Sequence, residues 1–131
     1  MTTRRLALLA LAAFAAPLAA QAHLPPGARG PNGGQVQDIG SYHGELVARD
    51  GELTLFLFDH RDQPLDARNA SGTAVVLVGG HQHSVTFAPR QDGAALVAQG
   101  AFHAASGMRV VVQVSPRQGA ARAQARFTPV P

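Results

Sequence analysis

The sequence predicts an all-β domain, an antiparallel immunoglobulin-like β-sandwich of seven to eight short strands. Three observations carry this. Apolar and polar residues alternate with a period of two through most of the chain after residue 33. Turn dipeptides such as Asp50-Gly51 and Gly79-Gly80 punctuate it at the close spacing of small sandwich strands. No stretch beyond residue 22 shows the apolar period of a helix. A small closed barrel fits the same pattern.

The elements follow in order. Thr2-Thr3-Arg4-Arg5 is a basic start, Leu6 to Ala16 is an unbroken apolar run, and Ala20-Gln21-Ala22 is a small-x-small cleavage signal, the layout of a secretory signal peptide over 1–22. The run is about half the roughly 20 apolar residues a membrane-spanning helix needs, so no transmembrane anchor is expected after cleavage. Residues 23–32 form an extended Pro/Gly-rich lead, and 33–131 the β-domain.

Gln35 to Ile39 is a short strand after the Asn32-Gly33-Gly34 turn. Tyr42 to Arg49 alternates, with Tyr42, Gly44, Leu46 and Ala48 on one face and His43, Glu45, Val47 and Arg49 on the other. Asp50-Gly51 is a strong hairpin turn. Glu52 to Asp59, ELTLFLFD, is apolar on both faces and reads as a central strand. His60 to Asn69 is a polar loop. Thr73 to Val78, a strand through Val85 and Phe87 ending at Pro89, and a short one near Ala94 to Ala98 follow. Arg109 to Ser115 directs Val110, Val112 and Val114 inward, and Ala121 to Thr128 does the same with Ala121, Ala123, Ala125 and Phe127.

Composition removes several classes of function. Two of the eleven arginines leave with the signal, so nine face eight carboxylates and the processed chain is near neutral. The remaining arginines are scattered, which argues against a nucleic-acid partner. There is no cysteine, so thiolate metal sites and cysteine catalysis are excluded. No serine sits in a nucleophile elbow and no glycine pair precedes a helix and lysine, so hydrolase and nucleotide chemistry are not expected. The domain reads as a non-enzyme.

Histidine is the residue in excess. All six lie past the signal, against one tyrosine. His43 and Glu45 stand two apart on one strand and leave the same face. His81 and His83 repeat that arrangement after Gly79-Gly80, and His60 follows the apolar strand. Imidazole and carboxylate donors suit zinc, copper, nickel or cobalt, so the expected cofactor is a divalent transition metal. If the two hairpins met at one rim, His43, Glu45, His60, His81 and His83 would supply the ligands, with His103 a weaker candidate. Cleavage after Ala22 would also make His23 the first residue, whose amine and imidazole together chelate copper in copper-brace proteins.

The stretch from Gly30 to Leu65, GPNGGQVQDIGSYHGELVARDGELTLFLFDHRDQPL, resembles the small periplasmic β-domain at the start of cobalt–zinc–cadmium-type efflux adaptor proteins, and related stand-alone periplasmic proteins. Asn32 departs from that pattern, where histidine is frequent, and the chain lacks the adaptor's helical hairpin and barrel domains. The resemblance implies a periplasmic metal-binding accessory domain, with the metal ion and an envelope efflux complex as partners. Two other expectations stand beside it: a metal-free interaction module docking to an envelope complex, and a copper-brace protein built on His23.

Overall fold

A computed structural model describes residues 24–131, and the signal peptide expected over 1–22 and His23 fall outside them. The chain is all-β, with eight antiparallel strands and, among the described residues, no helix. The strands are β1 (Gln35–Ile39), β2 (Tyr42–Arg49), β3 (Glu52–Phe58), β4 (Ser71–Val78), β5 (His81–Pro89), β6 (Leu96–Gln99), β7 (Arg109–Ser115) and β8 (Ala123–Phe127). They hydrogen-bond in the order β1-β2-β3-β6-β5-β4-β7-β8. Strand β5 joins the two halves: His81 to Phe87 pair with β4, and Ala88 and Pro89 pair with β6.

The sheet curls until its outermost strands meet. There the Gln35 side-chain amide accepts from the Thr128 backbone N–H at 2.7 Å and donates to the Thr128 hydroxyl at 3.3 Å. One amide thus stands in for a rung of the ladder between β1 and β8.

The alternation read from the sequence sets the core. Leu53, Leu55 and Leu57 of β3, Leu46 of β2, Val76 of β4 and Val110, Val112 and Val114 of β7 are all fully buried in one cluster. Each such side chain contributes about 1.5–3 kcal/mol relative to staying exposed. Gly51 takes a φ of 70°, which the tight β2–β3 turn requires and glycine adopts without penalty. Strand β3 is central, as its two-sided apolar character predicts, with β2 on one edge and β6 on the other. Its other row, Thr54, Phe56 and Phe58, faces away from this core and is half-buried.

The lead is more ordered than its composition suggests. Gly27 N–H donates to Val36 O at 2.6 Å and Val36 N–H to Ala28 O at 2.8 Å, so the lead runs as a short extra rung along β1. It then folds over the outer row of β2. That covering layer builds the region described next.

Candidate functional site

On the outer row of β2, His43 and Glu45 do share a face, and both lie under or beside the lead. Their environments nevertheless differ completely. Glu45 is 0 % exposed. Its Oε2 accepts from the N–H of Asn32 at 2.9 Å and of Gly34 at 2.8 Å, and its Oε1 accepts from the Asn32 side-chain amide at 2.9 Å. The Gly-Pro-Asn-Gly-Gly stretch is therefore a lid clamped by one buried carboxylate. A side chain at Gly30 would collide with the Glu45 carboxyl group, and one at Gly34 with the carbonyl of Leu46. Both glycines are explained by close approach rather than by φ. Asn32 supplies two of the clamp's donors.

His43 stands at the rim beyond that clamp. Its Nδ1 lies 2.8 Å from Asp38 Oδ1, paired to it across the β1–β2 ladder. A carboxylate accepts, so Nδ1 donates, and the ring is oriented with Nε2 outward. Nε2 lies 3.8 Å from Asp62 Oδ1. His43 is mostly buried, its side chain 22 % exposed, while Asp62 is half-open at 42 %.

The loop after β3 sets Asp62 in place. Asp59 Oδ1 accepts from Arg61 N–H at 2.8 Å and Gln63 N–H at 3.0 Å, and Asp62 N–H donates to Asp59 O at 3.0 Å. These backbone bonds, Gln63's foremost, hold the Asp59 carboxyl below the usual carboxylate range against a smaller opposing effect of desolvation. Asp62 itself has a φ of 60°, the one non-glycine residue among those described with a positive φ. Left-handed backbone at an aspartate is tolerable but costs energy, and strain of this kind gathers at functional sites. Beside the pair lies a cavity of about 140 Å³ walled by Leu24, Pro31, Val36 and Phe58.

The remaining histidines lie elsewhere. Strand β6 runs beside β3 with Gln99 opposite Glu52, and β5 runs beside β6 with Ala88 opposite Val97. The start of β5 therefore points to the end of the sheet that carries the Asp50-Gly51 turn. The His83 ring lies 6.1 Å from that of Phe102, whose carbonyl accepts from Gly51 N–H. His103 Nδ1 is 3.9 Å from Asp50 Oδ2, and its side chain is 93 % exposed. His81 is exposed in the β4–β5 turn region. His43 pairs with Phe58 at the far end of β3. Over a strand of this length the two ends are about 20 Å apart.

The two hairpins thus do not meet at one rim. His43 and His60 stand at one end, His81 and His83 at the other, and Glu45 is enclosed between the lid and β2. Among the described residues no three histidine, aspartate or glutamate side chains are grouped to hold a metal ion. Sequence reasoning missed Asp38 and Asp62. Asp38 carried a readable signal, because a Gly40-Ser41 turn places it opposite His43. Asp62 carried none, because its approach depends on the coil of the 59–63 loop.

What the His43 rim can do follows from these distances. An imidazole whose Nδ1 is tied to a carboxylate presents Nε2 in a fixed direction, the arrangement of an oriented metal ligand. Bonds of about 2.0–2.1 Å put two tetrahedral ligands about 3.3–3.4 Å apart, so Nε2 and Asp62 need to close by about 0.5 Å to share one ion. No family model matches the chain, and neither the curated proteins nor the solved structures contain a match to it.

Proposed function

We propose that the protein is an exported, non-catalytic periplasmic domain that binds a divalent transition metal, and that it serves metal efflux or resistance as an accessory. The site is the His43 rim, with His43 Nε2 and the Asp62 carboxylate as ligands and Asp38 as the residue that orients the imidazole. The single observation that supports this most is the Asp38–His43–Asp62 row, at 2.8 and 3.8 Å, completed by an aspartate in left-handed backbone. The resemblance of Gly30 to Leu65 to efflux-adaptor domains supports the same reading. His60, two residues before Asp62, belongs to the same end. His81 and His83 form a separate, less constrained pair.

Metal titration of the processed protein, followed by native mass spectrometry and calorimetry with zinc, copper, nickel and cobalt, tests it. The expected result is one ion per chain at micromolar metal, lost in His43→Ala and kept in the His81→Ala, His83→Ala double variant. A chain that takes up no stoichiometric ion would overturn it. That outcome favours the docking-module reading, for which the outer face offers a hollow of about 330 Å³ bordered by Asn32, Arg49, Phe56 and Arg90.

A further inference from the structure

The outer face of β4, β7 and β8 carries charge of one sign. The chain has no acidic side chain after Asp92 and none within β4, β5, β7 or β8, whereas Arg109, Arg117, Arg122 and Arg126 all follow Asp92. All four are exposed. Among the described residues none of them has a carboxylate within ion-pair reach, while Arg68 and Arg90 each hold an aspartate, at 3.3 and 2.9 Å. The sequence scatters these arginines, and strand pairing gathers two of them. Arg126 of β8 stands opposite Val111 of β7, and Arg109 lies two residues from Val111 on the same outer row. The two are therefore diagonal neighbours, about 7–8 Å apart across the strands. Val111 in turn stands opposite Val75 of β4, and Arg109 opposite Leu77, a large apolar side chain left exposed. Beside Leu77 and Arg109 opens a hollow of about 470 Å³, with the β4–β5 turn and the Ser106-Gly107 loop as its other walls.

We infer that this face docks an extended, acidic segment of a protein partner, with carboxylates on Arg109 and Arg126 and an apolar side chain on Leu77. Like charges gathered without a counter-charge repel one another, and a partner that supplies carboxylates relieves that cost. Every cationic side chain other than histidine is arginine, whose planar fork takes a carboxylate through two parallel hydrogen bonds. The spacing agrees as well. Residues two apart in an extended peptide are separated by roughly 6.7 Å, close to the diagonal step between the two arginines. A Glu-x-Glu segment therefore meets both, and the next residue on the same side reaches Leu77 and the hollow beside it. Other polyanions fit this face less well. The outer rows of β4, β7 and β8 hold no aromatic side chain, since Phe127 is buried in the core, so nucleic-acid bases find nothing to stack on. Val75 and Val111 are half-buried between their neighbours, so they do not protrude as the apolar side chains that enter a lipid surface do. The face lies on strands other than those of the His43 rim and stands independently of the metal reading.

The test titrates the processed protein, with a chelator present throughout, against three fluorescent probes at low salt. They are a peptide repeating Glu-Ser-Glu-Ser-Leu-Ser, vesicles containing phosphatidylglycerol, and a single-stranded oligonucleotide. The peptide should bind saturably and move the backbone NMR signals of β4, β7 and β8 more than those of β1 to β3. Arg109→Gln and Arg126→Gln together should weaken it roughly tenfold or more, because both carboxylate contacts are lost. Arg68→Gln removes an arginine already paired with Asp66 and should change it by less than about twofold. Salt at about 0.5 M should weaken binding to the parent chain and have little effect on what remains in the double variant. The substituted side chains are exposed, so the unbound spectra should otherwise match. No saturable binding of the peptide, or equal binding by the parent and the double variant, overturns the inference. Tighter, arginine-dependent binding to the vesicles or the oligonucleotide would assign the face to a lipid or nucleic-acid partner and would overturn it too. So would self-association of the chain that the double variant abolishes, because the occupant would then be a second copy.

Discussion

The two ends of the sheet carry different numbers of histidines and very different amounts of structure around them. The end with the β4–β5 turn has His81, His83 and His103, yet one is 93 % exposed and another leans on Phe102 with no polar partner among the described residues to orient it. The opposite end has His43, held between two aspartates under an anchored lead. Ligand count favours the first end and construction favours the second. A metal site needs donors already aimed, because each side chain that must be ordered on binding costs entropy. The rim with fewer imidazoles is the better candidate for that reason.

The largest effect expected from breaking this contrast comes at the clamp that roofs the better-built end. Glu45→Ala leaves the N–H groups of Asn32 and Gly34 without their acceptor, at about 1–3 kcal/mol for each buried donor that water does not recover. We expect a loss of about 2–4 kcal/mol in chemical denaturation and release of the lead. Gly30→Ala should act in the same direction, since its new methyl group meets the Glu45 carboxyl group. Metal affinity should fall in both variants, although neither residue touches the ion. Full stability in Glu45→Ala would show that the lead is only laid on the sheet.

Next in size are the paired histidine variants, which set one end directly against the other. His43→Ala should lower metal affinity roughly a hundredfold, whereas the double variant at His81 and His83 should change it by less than about twofold. Asp38→Asn, which keeps the shape but weakens the hold on Nδ1, should cost about 10–100-fold, the range for residues that orient a ligand. The reverse ranking, with the His81 and His83 variant losing most, would move the site to the other end.

This contrast was only half legible in the sequence. Strands β2 and β3 followed from the Asp50-Gly51 turn and the run ELTLFLF, since local turn chemistry and alternation decide both. The inward row of β7 was read correctly for the same reason, and that of β8 from Ala123 to Phe127, whereas Ala121 is exposed and precedes the strand. The placement of the histidines was not readable, because it depends on β5 pairing with β6 and thereby turning His81 and His83 away from His43. Glu45 shows a second kind of limit. Its spacing from His43 is that of a ligand pair, but the segment that encloses it lies eleven to fifteen residues earlier and has no periodicity to betray its path. The lead read only as an extended Pro/Gly-rich segment for that reason, and the structure has it pinned to β1.

A smaller change sharpens the contrast at Asp62. Left-handed backbone costs an L-residue about 1–2 kcal/mol and glycine almost nothing, with aspartate at the mild end of the penalty. Asp62→Gly should therefore raise stability by up to about 1 kcal/mol while lowering metal affinity. A stabler protein that binds less metal is the signature of strain kept for function. If Asp62→Gly bound the ion as well as the parent chain, the aspartate would be a turn residue and nothing more.

The smallest perturbation uses Tyr42, which begins β2 next to His43 but on the inner face. Its hydroxyl donates to Val114 O at 3.0 Å, tying this end of β2 to β7 in the other half of the sheet. Burial pushes its phenol up to about 12 from an ordinary value of 10.0. For a group whose folded pKa is raised, the stabilisation is complete below the unfolded pKa and is lost as pH rises through the folded one. Stability should thus be level with respect to Tyr42 below pH 10 and decline between there and about 12. The chain has one tyrosine and no tryptophan, so phenolate absorbance reports this residue alone. Ionisation near pH 12 in the native protein, moving to about 10 in denaturant, is expected if the His43 end is closed beneath its rim. Ionisation near 10 in the native protein would mean that this end of the core opens to water, and the contrast between a built end and an unbuilt one would lose its structural basis.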